Sequence, residues 1–168
     1  TYDQKWEGKT FKIKEKTAPA GYKLDEKEYT VKLGAAGSTI HLKDEPLPAV
    51  FNVTAKKVVE GRADKLPKAD EFTFNLFTAE NLKEPVATAK SKADGTITFE
   101  NLQVKGVGTY HYIIKEDTST AVAGVTFDTE AKEVTVAATF QNGVLTATVT
   151  SAEPTFTNTY KSAPAKIA

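Results

Sequence analysis

The chain has 168 residues, no cysteine and no methionine, and its 22 Lys+Arg balance 22 Asp+Glu. That balance leaves no net field to recruit nucleic acid or an anionic membrane. The missing thiols exclude disulfides, thiolate nucleophiles and cysteine–zinc sites together. No apolar run is long enough to span a bilayer and no signal peptide heads the chain, which from Thr1 reads as a processed or excised piece. The length suits one large β domain or two small ones, and a small extracellular domain without disulfides needs another staple or a good core.

In chain order, TFKIKEK (10–16) alternates with Phe11, Ile13 and Glu15 on one face, and TAPAGY breaks it. EYTVKL (28–33) alternates again, GAAGS forms a turn, and TIHLKDE (39–45) predicts a strand with Ile40, Leu42 and Asp44 on one side. EPLPAV is a proline-stiffened connector, so the boundary falls near residue 48. Beyond it, strands are predicted in FNVTAKKVV, EFTFNLF, GTITFENL, GTYHYIIKE, GVTFD, EVTVAATF, LTATVTS and PTFTNTY. Asn142–Gly143 is the strongest short-range hairpin signal among them. No helical periodicity is sustained, although ADEFTF and 79–84 could each hold a turn of helix. The pattern predicts an all-β chain: a sandwich of two sheets over 49–161, a partial sandwich over 1–48, and a tail over 162–168.

Side chains on a strand alternate faces, so parity marks the residues that point inward. In 51–59 the apolar set Phe51, Val53, Ala55 and Val59 is odd, which turns Lys57 inward and Lys56 outward. In 109–116 the set Tyr110, Tyr112 and Ile114 leads to Glu116, and in 155–160 Asn158 falls between Phe156 and Tyr160. Each has an ordinary explanation: Lys57 could snorkel, Glu116 could lie past a strand end, and Asn158 could cap a turn. Together, a lysine, a carboxylic acid and an asparagine in an apolar core can form an intramolecular isopeptide bond. Desolvation lowers the lysine pKa and raises that of glutamate, giving a neutral nucleophile beside a protonated acid. On this reading Glu116 donates a hydrogen bond to the Asn158 carbonyl, Lys57 attacks, and ammonia leaves.

AKKVVEG, ADEFTFNL, ADGTITFENL, GVGTYHYIIKE, AGVTFDTEAKEVTV and PTFTNTY occur in this order, and over roughly 50–160 the chain resembles the FctA-type (T-antigen-like) pilin isopeptide domain of Gram-positive pili. In that family a first-strand lysine joins a last-strand asparagine beside a central glutamate. By motif these are Lys57, Asn158 and Glu116; Lys56 is the one ambiguity, and parity argues against it. FKIKEKTAPAGYKL (11–24) resembles the glutamate box of Cna B-type domains, with Glu15 as its acid, and LKDEP (42–46) supplies Asp44 as an acceptor that would lose water. The opening strands with the lysine of such a domain are missing, and Lys5, Lys9 and Lys12 lie too close before Glu15 to replace it. The first segment therefore reads as a C-terminal half-domain, open to completion by a strand from another chain.

The resemblance implies a structural module of a Gram-positive pilus, as backbone pilin or fibrillar adhesin stalk, outside the cell and anchored to its wall. Its partners would be other pilin subunits, through sortase-type linkage that rests on the resemblance alone. The alternative is an adhesin domain that binds a host glycan or matrix protein, which should leave an exposed apolar or aromatic patch. No cofactor, metal or enzymatic turnover is implied: His41 and His111 have outward parity and no Ser or Asp arrangement around them. Asn52–Val53–Thr54 is formally a glycosylation sequon that a bacterial surface protein gives no reason to use.

Overall fold

The computed structural model describes residues 4–166. After a short 3-10 turn at Gln4–Trp6, the strands are β1 (Thr10–Lys14), β2 (Tyr22–Lys23), β3 (Glu28–Lys32), β4 (Glu45–Pro46), β5 (Ala49–Glu60), β6 (Thr73–Thr78) and β7 (Ala87–Lys90). There follow β8 (Thr96–Val104), β9 (Gly108–Glu116), β10 (Val125–Thr126), β11 (Lys132–Gln141), β12 (Val144–Val149) and β13 (Thr155–Tyr160). The described residues hold no α-helix.

From Ala49 onward the strands form a four-stranded sheet ordered β10-β13-β5-β8 and a five-stranded sheet ordered β12-β11-β9-β6-β7. β5 alternates buried and exposed along its length, because β-branched and aromatic side chains fit a pleated face that is half in water. Val53, Ala55, Val59, Ile97, Phe99 and Phe156 from one sheet meet Phe74, Leu76, Ile114, Val134 and Val136 from the other in one core. Burying each larger side chain stabilises by about 1.5–3 kcal/mol relative to exposure, which makes this layer the main support of the fold. Among the described residues the ladders are antiparallel except one: β13 runs parallel to β5, the last strand beside the first of this sandwich. Asn142 (φ 52) and Gly143 (φ 79) turn the β11–β12 hairpin in the left-handed region, as the Asn–Gly pair predicts.

The first segment forms two ribbons, β1–β3 and β2–β4. Phe11 pairs with Val31 and Ile13 with Tyr29, yet Phe11 and Ile13 stay 36% and 37% exposed. No described residue before Ala49 is fully buried. The β2–β4 ribbon touches the sandwich at the β11–β12 turn, where Tyr22 stacks with Phe140 at 6.3 Å. Gly21 (φ 83) comes so close that a Cβ there would stand 2.1 Å from the Gly143 carbonyl oxygen.

Three differences from the expected elements have physical causes. The strand predicted over 39–45 reduces to Glu45–Pro46, because β1 and β3 pair only with each other and no described strand offers 39–44 a ladder. β7 escapes the sequence pattern because its inward residues are Ala87 and Ala89, too small to mark an apolar period. At 79–84 there is no helical turn: a single Thr78–Asn81 bridge closes the loop, and Lys83 N donates to Asn81 Oδ1. Nor does ADEFTF hold a helical turn. Asp70 takes a positive φ of 58°, and Glu71 is held by a bidentate pair with Arg62.

Candidate functional site: a buried lysine, glutamate and asparagine

Lys57 sits at an inward position of β5 and is 1% exposed. Its backbone is clasped by the turn before β8: Lys57 N donates to Gly95 O at 2.7 Å. A Cβ on Gly95 (φ 83) would lie 2.6 Å from the Lys57 carbonyl oxygen, so this close approach requires glycine. Lys56 points outward, with Nζ 3.6 Å from Glu153 Oε2 at the surface. On the parallel neighbour, Phe156 pairs with Lys57 and Asn158 with Val59, which puts Asn158 on the same inward face. Glu116 ends β9 opposite Phe74 in the other sheet. The lysine and the amide thus belong to one sheet and the acid to the facing one, so the three meet only when the sandwich closes.

Glu116 bridges the other two. Its Oε2 lies 2.8 Å from Lys57 Nζ, and its Oε1 accepts from Asn158 Nδ2 at 2.7 Å. The side chains of Lys57 and Glu116 are wholly shielded from solvent, and Asn158 is fully buried. The rings of Phe72 and Phe74 stand 4.8 and 5.6 Å from Lys57 Nζ, and Phe156 packs on Phe74 at 5.1 Å. Burial pushes the Lys57 amine below its ordinary range, against the opposing pull of Glu116. Burial likewise pushes the Glu116 carboxyl up, against the opposing pull of Lys57. Both directions favour a neutral amine beside a neutral acid, a pair that titrates as one unit.

The Asn158 amide is oriented differently from the sequence expectation. Its nitrogen faces Glu116, and its oxygen accepts from Asp128 N at 2.7 Å. The cause is donor–acceptor matching: a buried amide needs an acceptor for its NH₂ and a donor for its oxygen, and the loop after β10 supplies the donor. With this orientation Glu116 touches the Lys57 nitrogen with one oxygen and the Asn158 nitrogen with the other. Asp128 was missed by sequence reasoning, since a backbone N–H carries no residue signature; the aspartate closing GVTFD was the only available sign.

The two candidate residues of the first segment are not brought together. Glu15, just past β1, accepts from Asp25 N through Oε2 at 2.6 Å. Asp44 lies half-buried outside any strand, and among the described residues no hydrogen bond or ion pair joins it to Glu15. His41 is exposed, and His111 Nδ1 faces Glu133 Oε1 at 2.8 Å on the outer surface.

Among solved structures, the chain is similar to the major pilin from Streptococcus pyogenes, with 17% identity, a TM-score of 0.47, and coverage of 68% of this chain and 51% of that one. A mutant of that pilin gives 16% identity and a TM-score of 0.48, with 65% and 50% covered. The Bacillus anthracis TIE protein gives 20% identity and a TM-score of 0.39, with 90% and 25% covered. The chain therefore spans about half the length of the pilin chains it matches. No curated protein matches it. Residues 53–161, more than half of the sequence, match the family described as the Spy0128-like isopeptide containing domain, and the chain belongs to that family (FctA).

Proposed function

We propose that the chain is a structural module of a Gram-positive surface pilus or fibrillar adhesin stalk, locked by an isopeptide bond between Lys57 and Asn158 that Glu116 promotes. The observation that carries this reading is the dry contact of Lys57 Nζ and Asn158 Nδ2 with the two oxygens of Glu116. The neutral Lys57 amine attacks the Asn158 side-chain carbon, leaving negative charge on Oδ1. Glu116 gives its proton to the Asn158 nitrogen and takes one back from the Lys57 nitrogen. The carbonyl re-forms, the old C–N bond breaks and ammonia departs, with Glu116 neutral again. The reaction consumes its own residues, so it runs once, without turnover.

The role follows from where the bond would sit. β5 and β13 are parallel, so tension entering at Ala49 and leaving at Tyr160 would pass from Lys57 straight to Asn158. Residues 58–157 would carry none of it. This suits an extracellular fibre whose subunits are joined to other pilin subunits and to the cell wall. Single-molecule pulling from the two termini tests the reading: the sandwich should add no unfolding extension, whereas Lys57→Ala should release a long one. Equal extensions would overturn it.

We also propose units of 1–48 and 49–161 with a tail at 162–168, and Glu15 and Asp44 as two members of a second site completed by a lysine-bearing strand from elsewhere. The exposed Phe11 and Ile13 face and the lone pairing of β1 with β3 support this. Mixing the chain with such a peptide should give a band that resists denaturing electrophoresis. No band, or one that survives Asp44→Ala, would overturn it.

A further inference from the structure

We propose that Asp128 is a further member of the bond-forming site: its backbone N–H is the donor that receives the developing charge on Asn158 Oδ1, and its carboxylate holds that N–H in place. The inference rests on the Lys57–Asn158 reading above. Asp128 N already lies 2.7 Å from Asn158 Oδ1. Attack by Lys57 turns that oxygen from a carbonyl into an oxyanion, and a fixed donor in a dry site gains most from that change. Collapse of the oxyanion then expels the nitrogen that Glu116 has protonated, so the two contacts of the Asn158 amide serve opposite ends of one step.

The donor belongs to 127–131, the connection from β10 in one sheet to β11 in the other, where no ladder fixes the backbone. The Asp128 side chain replaces the ladder. Its Oδ2 accepts from Thr157 N at 3.0 Å and its Oδ1 from Glu130 N at 3.0 Å. Thr157 immediately precedes Asn158, so loop and strand are stitched in both directions: Asp128 N to Asn158, and Thr157 N to Asp128. Lys132 Nζ stands 3.7 Å from Oδ2 and also pairs with Glu130. Phe127 packs edge-on against Phe72 at 6.0 Å and anchors the preceding residue.

The carboxylate also acts through its charge. Burial alone would raise its pKa, but the Thr157 and Glu130 N–H groups and the Lys132 and Lys57 charges outweigh burial and keep it low. The ionised Asp128 then favours retention of protons by both Glu116 and Lys57. Burial and the Lys57–Glu116 contact come first in placing the pH range in which the pair holds the single proton the reaction needs, and the Asp128 charge moves that range upward.

The test is the rate of ammonia loss, followed by intact mass after cell-free synthesis of the full chain, across a pH series and counted over folded molecules. Asp128→Ala should slow the step by ~10–100-fold, less than or similar to removal of an oxyanion donor outright, because the N–H remains but is no longer held. Asp128→Asn, which keeps one acceptor oxygen, should recover part of the rate and move the bell-shaped pH profile to lower pH. Rates within about twofold of the parent in both variants would overturn the proposal, since a held oxyanion donor should matter by far more than that. Slowing with an unmoved profile would make Asp128 a structural residue only and overturn it as well. Glu116→Ala is the control for the underlying reading. If the parent chain itself never loses ammonia, that reading fails, whereas a reactive parent with indifferent Asp128 variants sinks this inference alone.

Discussion

Lys57 and Asn158 stand on neighbouring parallel strands, the first and last of the sandwich, with their side chains on the same buried face and Glu116 reaching both from the opposite sheet. A covalent join at that point would close a loop spanning nearly the whole sandwich.

Glu116→Ala should leave the fold intact and abolish the bond. Apolar burial does most of the folding, and the core contributed by Phe74, Leu76 and Ile114 is untouched. The group proposed to carry a proton between the two nitrogens, however, is gone. Intact mass of the purified variant should show no loss of ammonia, and far-UV circular dichroism should match the parent. A variant that still cross-links quantitatively would show that another group moves the proton.

Lys57→Ala should lower stability by ~4–5 kcal/mol, by analogy with a disulfide closing a loop of about a hundred residues. For a domain of this size that corresponds to a fall in Tm on the order of 20 °C. Trypsin resistance should fall in parallel. Thermal melts that agree within error would mean that the link contributes little.

The pH dependence distinguishes a linked lysine from a free one. In Asn158→Ala, Lys57 remains an amine whose folded pKa is depressed below its ordinary 10.5 by burial. Between the depressed value and 10.5 the unfolded chain binds a proton that the folded chain does not. Stability contributed by Lys57 therefore rises with pH through that window and is lost as pH falls. In the linked chain Lys57 is an amide and does not titrate. The stability gap between parent and Asn158→Ala should narrow as pH approaches 10.5 in urea titrations. A gap that widens with pH would contradict the assigned direction.

The ribbons before Ala49 bury no described residue fully, whereas β5, β9 and β11 carry fully buried inward residues such as Val53, Ile114 and Val136. Amide exchange in β1 and β3 should approach that of exposed chain, while Val53, Ala55 and Ile114 exchange only through global opening. Comparable protection on both sides of residue 48 would show that the first segment is cooperative with the sandwich.

Much of this arrangement was legible because strands of strict alternation convert sequence position into direction. The parity of Phe51, Val53 and Ala55 turned Lys57 inward, and that of Tyr110, Tyr112 and Ile114 turned Glu116 inward, each from apolar neighbours in its own strand. Other features left no such mark. Ala87 and Ala89 are too small to reveal β7, and the alternation in 39–44 meets no partner strand, so pattern without a ladder gave no strand there. The orientation of the Asn158 amide depends on a backbone N–H from a loop thirty residues away in sequence, which residue type does not encode.

The measurement that bears most directly on the central claim is peptide mapping by mass spectrometry of the intact, purified chain. A total mass lower by one ammonia is expected, with a branched peptide containing both Lys57 and Asn158 that is absent from Glu116→Ala. Full mass, with Lys57 and Asn158 recovered in two separate linear peptides, would contradict it.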